Sequence, residues 1–337
     1  MHRIALIGFG LAGKAFHAPL IAATPGLKLA AVVSSRAADV AVEYPDALVV
    51  PTLEAVLADC SIDLVVLATP DHLHTEQALA ALDAGKHVVI DKPLAPTLEE
   101  ARRVAAYAAA RGLMLSVFHN RRWDADFLTL RRLIAEGVLG EITAMESRFD
   151  RFRPEPGERW KDRRAGGVWQ DLGPHLADQA LVLFGRPQAV SADLAVLKLG
   201  GHAVDHAEVL LRYSDRRVSL HISQLTADHA LRLAVHGTRG SFVKHGLDNQ
   251  EEQSKAGVRP GDPAWGIDPS PGRLTQADGT ISVVVPERGD YLAFYRGVAA
   301  ALAGKGPMPV SAEEALAVME VIAAGIASSD QRREILL

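Results

Sequence analysis

Ile4-Ala5-Leu6-Ile7-Gly8-Phe9-Gly10-Leu11-Ala12-Gly13 runs from an apolar stretch into the pattern G-x-G-x-x-G. A short apolar run of this kind reads as a buried strand, and three glycines at this spacing read as the turn that carries it into a helix. Gly8 permits the tight turn, Gly10 lets a pyrophosphate reach the backbone, and Gly13 lets helix and strand pack closely. The helix N-terminus adds unpaired N–H groups and positive potential, so Gly8, Phe9, Gly10, Leu11, Ala12 and Gly13 are the expected contacts of a dinucleotide. Met1-His2-Arg3 and the apolar run also mimic a short signal peptide, but Lys14 follows at once and no small-residue cleavage site closes the run.

Outward from this turn, apolar runs at residues 29–33, 64–68, 87–90 and 113–118 alternate with helical stretches. That alternation predicts right-handed βαβ units, a doubly wound parallel sheet and an α/β dinucleotide-binding domain over residues 1–120. Thr97-Leu98-Glu99-Glu100 is a capping box that opens a helix to about residue 111. Past residue 120 the pattern changes. One helix is expected near residues 124–136 and another from Pro174, followed by β-rich segments at 142–152, 189–197, 207–213, 218–224 and 231–236. Residues 121–337 then form an α+β domain with a large, mostly antiparallel open sheet for substrate binding and oligomerisation. Residues 255–273, rich in Pro and Gly, read as a long loop, and Ser311 caps a final helix.

The chain has 337 residues, 48% hydrophobic and 23% charged, with a formal net charge of -5. These values fit two globular domains and exclude disorder or coiled coil as whole-chain readings. They argue against nucleic acid as the partner and favour a small molecule. No apolar run approaches the roughly 18 to 20 residues of a membrane span, so no membrane partner is expected. The single cysteine, Cys60, permits no intrachain disulfide, suits a cytoplasmic location, and reads as a small, partly buried side chain.

The candidate site residues follow from the fold. Ser34-Ser35-Arg36 stands where an NAD site usually carries a carboxylate for the ribose hydroxyls, so NADP(H) is preferred, with NAD(H) as the second candidate. Thr69, Pro70 and His74 follow the third strand and should meet the cofactor. Asp91-Lys92-Pro93 closes the next strand, which aims Lys92 at the reaction crevice. Asp171 and His175 form a D-x-x-x-H pair. With Pro174 as first helical residue, Asp171 precedes the helix and His175 lies in its first turn, where the positive helix end keeps the imidazole neutral and ready to accept a proton. Asp171 would counteract that shift or bind the substrate hydroxyl. Asn120 and Arg121, at the domain junction, are expected to contact cofactor and substrate, and Trp160 and Arg163 to form a substrate-binding wall. No metal is expected: His202, His206, His221 and His229 fall in different segments and read as no ligand set.

Taken together, the glycine turn, ATPDHLH, AGKHVVIDKP and the D-x-x-x-H pair resemble the glucose–fructose oxidoreductase, inositol dehydrogenase and rhizopine catabolism (Gfo/Idh/MocA) family over nearly the whole chain. The usual E-K-P is D-K-P here. GLAGKAFHAPLI, VVSSR, FHNRRWD and WKDRRAGGVWQDLGPHLADQAL further resemble its NADP-dependent scyllo-inositol dehydrogenase subgroup. The resemblance implies an oxidoreductase that interconverts a secondary alcohol and a ketone on a cyclic polyol or sugar. In that scheme His175 takes the hydroxyl proton, Lys92 hydrogen-bonds the reacting oxygen, and Asp171 orients substrate or base. An anhydrofructose-type or glucose-type substrate and a non-catalytic NADP-binding regulator are the alternatives. A homodimer or homotetramer is expected from an exposed face of the open sheet.

Overall fold

The computed structural model describes residues 1–157 and 166–337. The chain divides into two compact units, each built around one sheet.

The first unit holds β1 (His2–Ile7), β2 (Leu27–Val33), β3 (Leu48–Val50), β4 (Leu64–Leu67), β5 (His87–Ile90) and β6 (Leu115–Val117). All pair in parallel, in the order β3-β2-β1-β4-β5-β6. The residues of β4 are fully buried, as a parallel strand covered on both faces requires. Order reverses between β1 and β4, so the carboxyl ends of these strands form the crevice where such sheets bind ligands. Thr97 caps the helix Leu98–Ala110: its Oγ1 accepts from Glu100 N at 3.2 Å and donates to Glu100 Oε2 at 2.8 Å.

This unit is not closed by residue 120. It also takes Gln250–Trp265 and Asp290–Leu316, which corrects the expectation of one continuous second domain from residue 121. The reason is apolar burial. Phe294 and Tyr295, on the helix Leu292–Leu302, are fully buried, and Phe294 meets the Phe118 ring edge-on at 4.9 Å. The expected loop at 255–273 is ordered and is bounded by the helix Gln250–Lys255 and a strand beginning at Gly272. Within the first unit, Gln253 Nε2 donates to Ala264 O, and Arg259 lies 3.4 Å from Glu43.

The second unit holds residues 121–249, 266–289 and 317–337. Its strands are β7 (Ile142–Arg148), β8 (Ala189–Ala195), β9 (His206–Arg212), β10 (Arg217–Ser223), β11 (Leu231–Gly237), β12 (Gly240–His245), β13 (Gly272–Gln276), β14 (Ile281–Val284) and β15 (Ile335–Leu336). They form one sheet in the order β14-β13-β12-β11-β7-β10-β9-β8-β15, in which only β7 and β10 pair in parallel. Strict alternation on β9 and β10 turns Val209, Leu211, Val218, Leu220 and Ile222 inward. These residues share a core with Leu172, Leu176, Ala177 and Ala180 of the helix Gly167–Phe184. The opposite face carries His206, Glu208, Leu210 and Arg212 of β9 and Arg217, Ser219 and His221 of β10. Among the described residues no helix is long and apolar enough to cross a membrane. Cys60, expected to be partly buried, is exposed beyond the short helix Leu53–Leu57.

Candidate active site

A cavity of about 600 Å³ opens at the carboxyl ends of the first unit's strands, over Gly8, Phe9 and Gly10, with Ser34, Ser35 and Arg36 on its wall. The glycines are fixed by sterics. Gly8 has φ +99° and a Cβ there would stand 2.7 Å from Ala68 O, while a Cβ on Gly13 would stand 2.1 Å from Gly8 O. Gly10 faces open space within 4 Å, as a residue that must admit a pyrophosphate should. Ser34 Oγ accepts from Arg36 N at 2.9 Å, which shapes the turn beneath the exposed Arg36. The Arg36 guanidinium makes no ion pair among the described residues. Thr69 also lines the cavity and donates to Gln77 Oε1 at 2.6 Å.

Several lining residues escaped sequence reasoning, two polar ones at the start of one short helix among them. Thr52 and Glu54, at the start of the helix Leu53–Leu57, complete the wall beside Ser34 to Arg36. Glu54's carboxyl is held below its usual range by its own backbone N–H and then by the Thr52 hydroxyl. The short β3 before it is the element that brings this turn to the site, and its three residues carry too little pattern to be read. Among the described residues the cavity walls do not include Leu11, Ala12, Gly13, Pro70, His74, Asp91, Lys92 or Asn120.

His74 is buried and its ring nitrogens each face a carbonyl oxygen, Nδ1 that of Pro93 and Nε2 that of Thr69, both at 2.9 Å. Expected against the cofactor, it ties the Thr69 turn to the Lys92-Pro93 turn. Asp91 Oδ1 accepts from Lys92 N at 2.9 Å and lies 3.8 Å from Nε2 of the fully buried His17. His17 Nδ1 is 2.6 Å from the Tyr295 hydroxyl. Burial and the Asp91 charge keep that phenol protonated, so it donates to Nδ1 and the Nε2 proton faces Asp91. Burial pushes the Asp91 carboxyl up, but His17, Lys92 and His74 outweigh it and hold the group below its usual range. The backbone N–H of the half-buried Lys92 is therefore held by a carboxylate that also faces His17.

In the second unit, Asp171 and His175 share the helix Gly167–Phe184 four residues apart, hence on one face. This corrects the expected helix start at Pro174. The chain enters the helix seven residues earlier because Gly167, at φ +43°, presses on the turn at Val204: a Cβ there would stand 1.9 Å from Val204 O, and Val168 N bonds that oxygen at 2.8 Å. His175 is consequently beyond the first turn, and the helix-end field does not act on it as expected. Asp171 lines a cavity of about 510 Å³ together with Arg151, Arg153, Lys198, His202 and Asp205, and His175 is buried. Glycine again sets the packing: a Cβ on Gly173 would stand 2.6 Å from the Trp169 ring, which is fully buried and donates to Ile322 O at 3.1 Å.

Arg121, expected at the substrate, is buried, lies 3.1 Å from Asp124, and stacks over Phe149 at 4.9 Å; Gln179 holds its carbonyl. Asn120 is buried at the end of the first unit's opening segment. Trp160 and Arg163 lie outside the described residues. Of the four histidines judged unrelated in sequence, the fold brings His206 and His221 together with Glu208 on neighbouring strands.

Residues 2–119 match the family profile described as "Oxidoreductase family, NAD-binding Rossmann fold", and residues 131–337 that described as "Oxidoreductase family, C-terminal alpha/beta domain". The chain is 48% identical to the uncharacterized oxidoreductase YdgJ of Escherichia coli, covering 99% of this chain and 98% of that one. It is 37% identical to the scyllo-inositol 2-dehydrogenase (NADP(+)) IolW of Bacillus subtilis, covering 99% and 96%. A solved structure from Yersinia pestis superposes with a TM-score of 0.95 at 47% identity, covering 100% and 97%.

Proposed function

The chain belongs to the Gfo/Idh/MocA oxidoreductase family, and we propose that it interconverts a secondary alcohol and a ketone on a cyclic polyol of the inositol type, using NADP(H). The observation that carries the cofactor reading is the wall Ser34-Ser35-Arg36 at the end of β2, which offers hydroxyls and a guanidinium without a carboxylate of its own. The residues fit the group: Gly8 and Gly13 leave no room for a side chain, and Gly10 leaves the approach open. A nicotinamide cofactor held over Gly8, Gly10 and Gly13 would supply the hydride acceptor for alcohol oxidation and the hydride donor for ketone reduction. His175 accepts the hydroxyl proton, Lys92 donates a hydrogen bond to the oxygen as alkoxide character grows, and Asp171 orients the substrate hydroxyl. The similarity to a scyllo-inositol dehydrogenase supports the ring class.

Kinetics over inositols, inososes and aldoses, run separately with NADP(H) and NAD(H), test the reading. The highest kcat/KM is expected with an inositol-type ring and NADP(H). Preference for NAD(H) would overturn the reading of Arg36, and inactivity on every cyclic polyol would overturn the substrate class. A homodimer or homotetramer is part of the proposal, and a monomeric mass in solution would remove it.

A further inference from the structure

We propose that His206, Glu208 and His221 form a binding site for a borderline divalent metal such as Zn²⁺ on the open face of the second unit's sheet. One donor atom from each lies within 4.8 Å of the other two. The strands dictate the grouping: His206 and Glu208 are two apart on β9 and so share a face, and Glu208 stands directly across from His221 of β10. The two imidazole rings are 5.3 Å apart, centre to centre.

The site has a built support. Asp150 is buried, and its Oδ1 faces His221 Nδ1 at 2.8 Å and accepts from Ser223 N at 2.9 Å, while Arg148 Nε holds Oδ2 at 2.7 Å. A carboxylate oxygen accepts, so in this contact His221 Nδ1 donates to Asp150 Oδ1. The lone pair of His221 is thereby left on Nε2. A carboxylate behind one imidazole nitrogen and a metal on the other is the usual arrangement of metal-bound histidine. Arg148 Nη2 lies 3.5 Å from Nε2, and the same guanidinium is also held by Glu146 and Asp150.

Charge points the same way. Glu208 faces Asp193 of β8 across the sheet, and neither makes an ion pair among the described residues. Like charges directly opposite each other destabilise a sheet, and a cation at Glu208 relieves the repulsion. Two imidazoles and one carboxylate select a metal of the zinc, cobalt or nickel kind over magnesium or calcium. Donors around tetrahedral zinc stand about 3.4 Å apart for bonds of about 2.1 Å, so closing the set needs only rotamer adjustment of partly exposed side chains. Three protein ligands leave a position for water or another ligand.

Titration of the chelator-stripped full chain with Zn²⁺ by calorimetry, and with Co²⁺ by visible absorption, tests the site. One equivalent should bind with a micromolar or tighter Kd, and Co²⁺ should give the intense visible bands of low coordination. His206→Gln and Glu208→Gln, both at partly or fully exposed side chains, should each weaken binding about tenfold or more. His221→Gln should do the same while the chain keeps its circular dichroism. Absence of saturable binding to the intact chain at 100-fold excess would overturn the proposal. So would binding unchanged in the His206→Gln and Glu208→Gln variants.

Discussion

Arg36 and Glu54 line the same cavity with opposite charges, and the proposed preference for NADP(H) is tested at these two residues. A charge-assisted hydrogen bond to a 2′-phosphate contributes about 1.5–3 kcal/mol, so Arg36→Ala should lower kcat/KM for NADP(H) by about 10- to 100-fold. The value for NAD(H), which has no 2′-phosphate, should hold. Glu54→Gln removes the repulsion of that phosphate and should lower KM for NADP(H) a few-fold. The Arg36 half of this pair was legible because the second strand announces its own end. Glu54 was not, because the residue reaches the cavity only through the three-residue β3. Asp91 bears a second prediction at this scale. Its folded pKa is depressed, so it contributes stability that is complete above the unfolded value of about 3.9 and is lost as pH falls through the folded one. Asp91→Asn should therefore lower the melting temperature at pH 7 and narrow its difference from the parent chain in strong acid. A constant difference from pH 7 down to pH 2 would contradict the His17–Asp91 anchor.

At the scale of elements, the helix Gly167–Phe184 shows what local rules miss. Proline favours a first helical position, and two glycines before Val168 read as a loop. The helix starts at those glycines because Gly167 and Val168 dock on Val204, a contact with a residue far along the chain that no local pattern records. Capping boxes at Thr97 and Ser311 were readable for the converse reason, since both partners of each lie within three residues. Edge strands such as β14 and β15 escaped because exposed residues carry no alternation. Gly167→Ala places a Cβ against Val204 O at a positive φ. It should cost about 1–3 kcal/mol and lower the melting temperature by roughly 3–10 °C. The variant should also lose kcat/KM for the alcohol, because Asp171 and the 198–205 turn share one cavity. A melt and turnover like those of the parent chain would show that the helix start tolerates a side chain.

For the molecule as a whole, connectivity sets what can fold alone. The glycine turn and the strand alternation up to residue 118 look like a complete nucleotide domain, yet its aromatic core is finished by Phe294 and Tyr295, some 175 residues further on. The helix Leu292–Leu302 advertises burial in its sequence but not its destination, which depends on His17 and Phe118 waiting in the first unit. Truncating a buried phenylalanine costs about 3–5 kcal/mol, which in a unit of this size is a drop of about 10 °C or more in melting temperature. Phe294→Ala should show that loss, and NADP(H) should restore part of it, since a ligand that binds only the folded unit adds stability by mass action. A fragment of residues 1–120 should go further. With Phe118 and His17 uncovered it should bind hydrophobic dye and melt without a cooperative transition. A sharp melt and native-like near-ultraviolet dichroism from that fragment would mean that the first unit closes its core without the later segments.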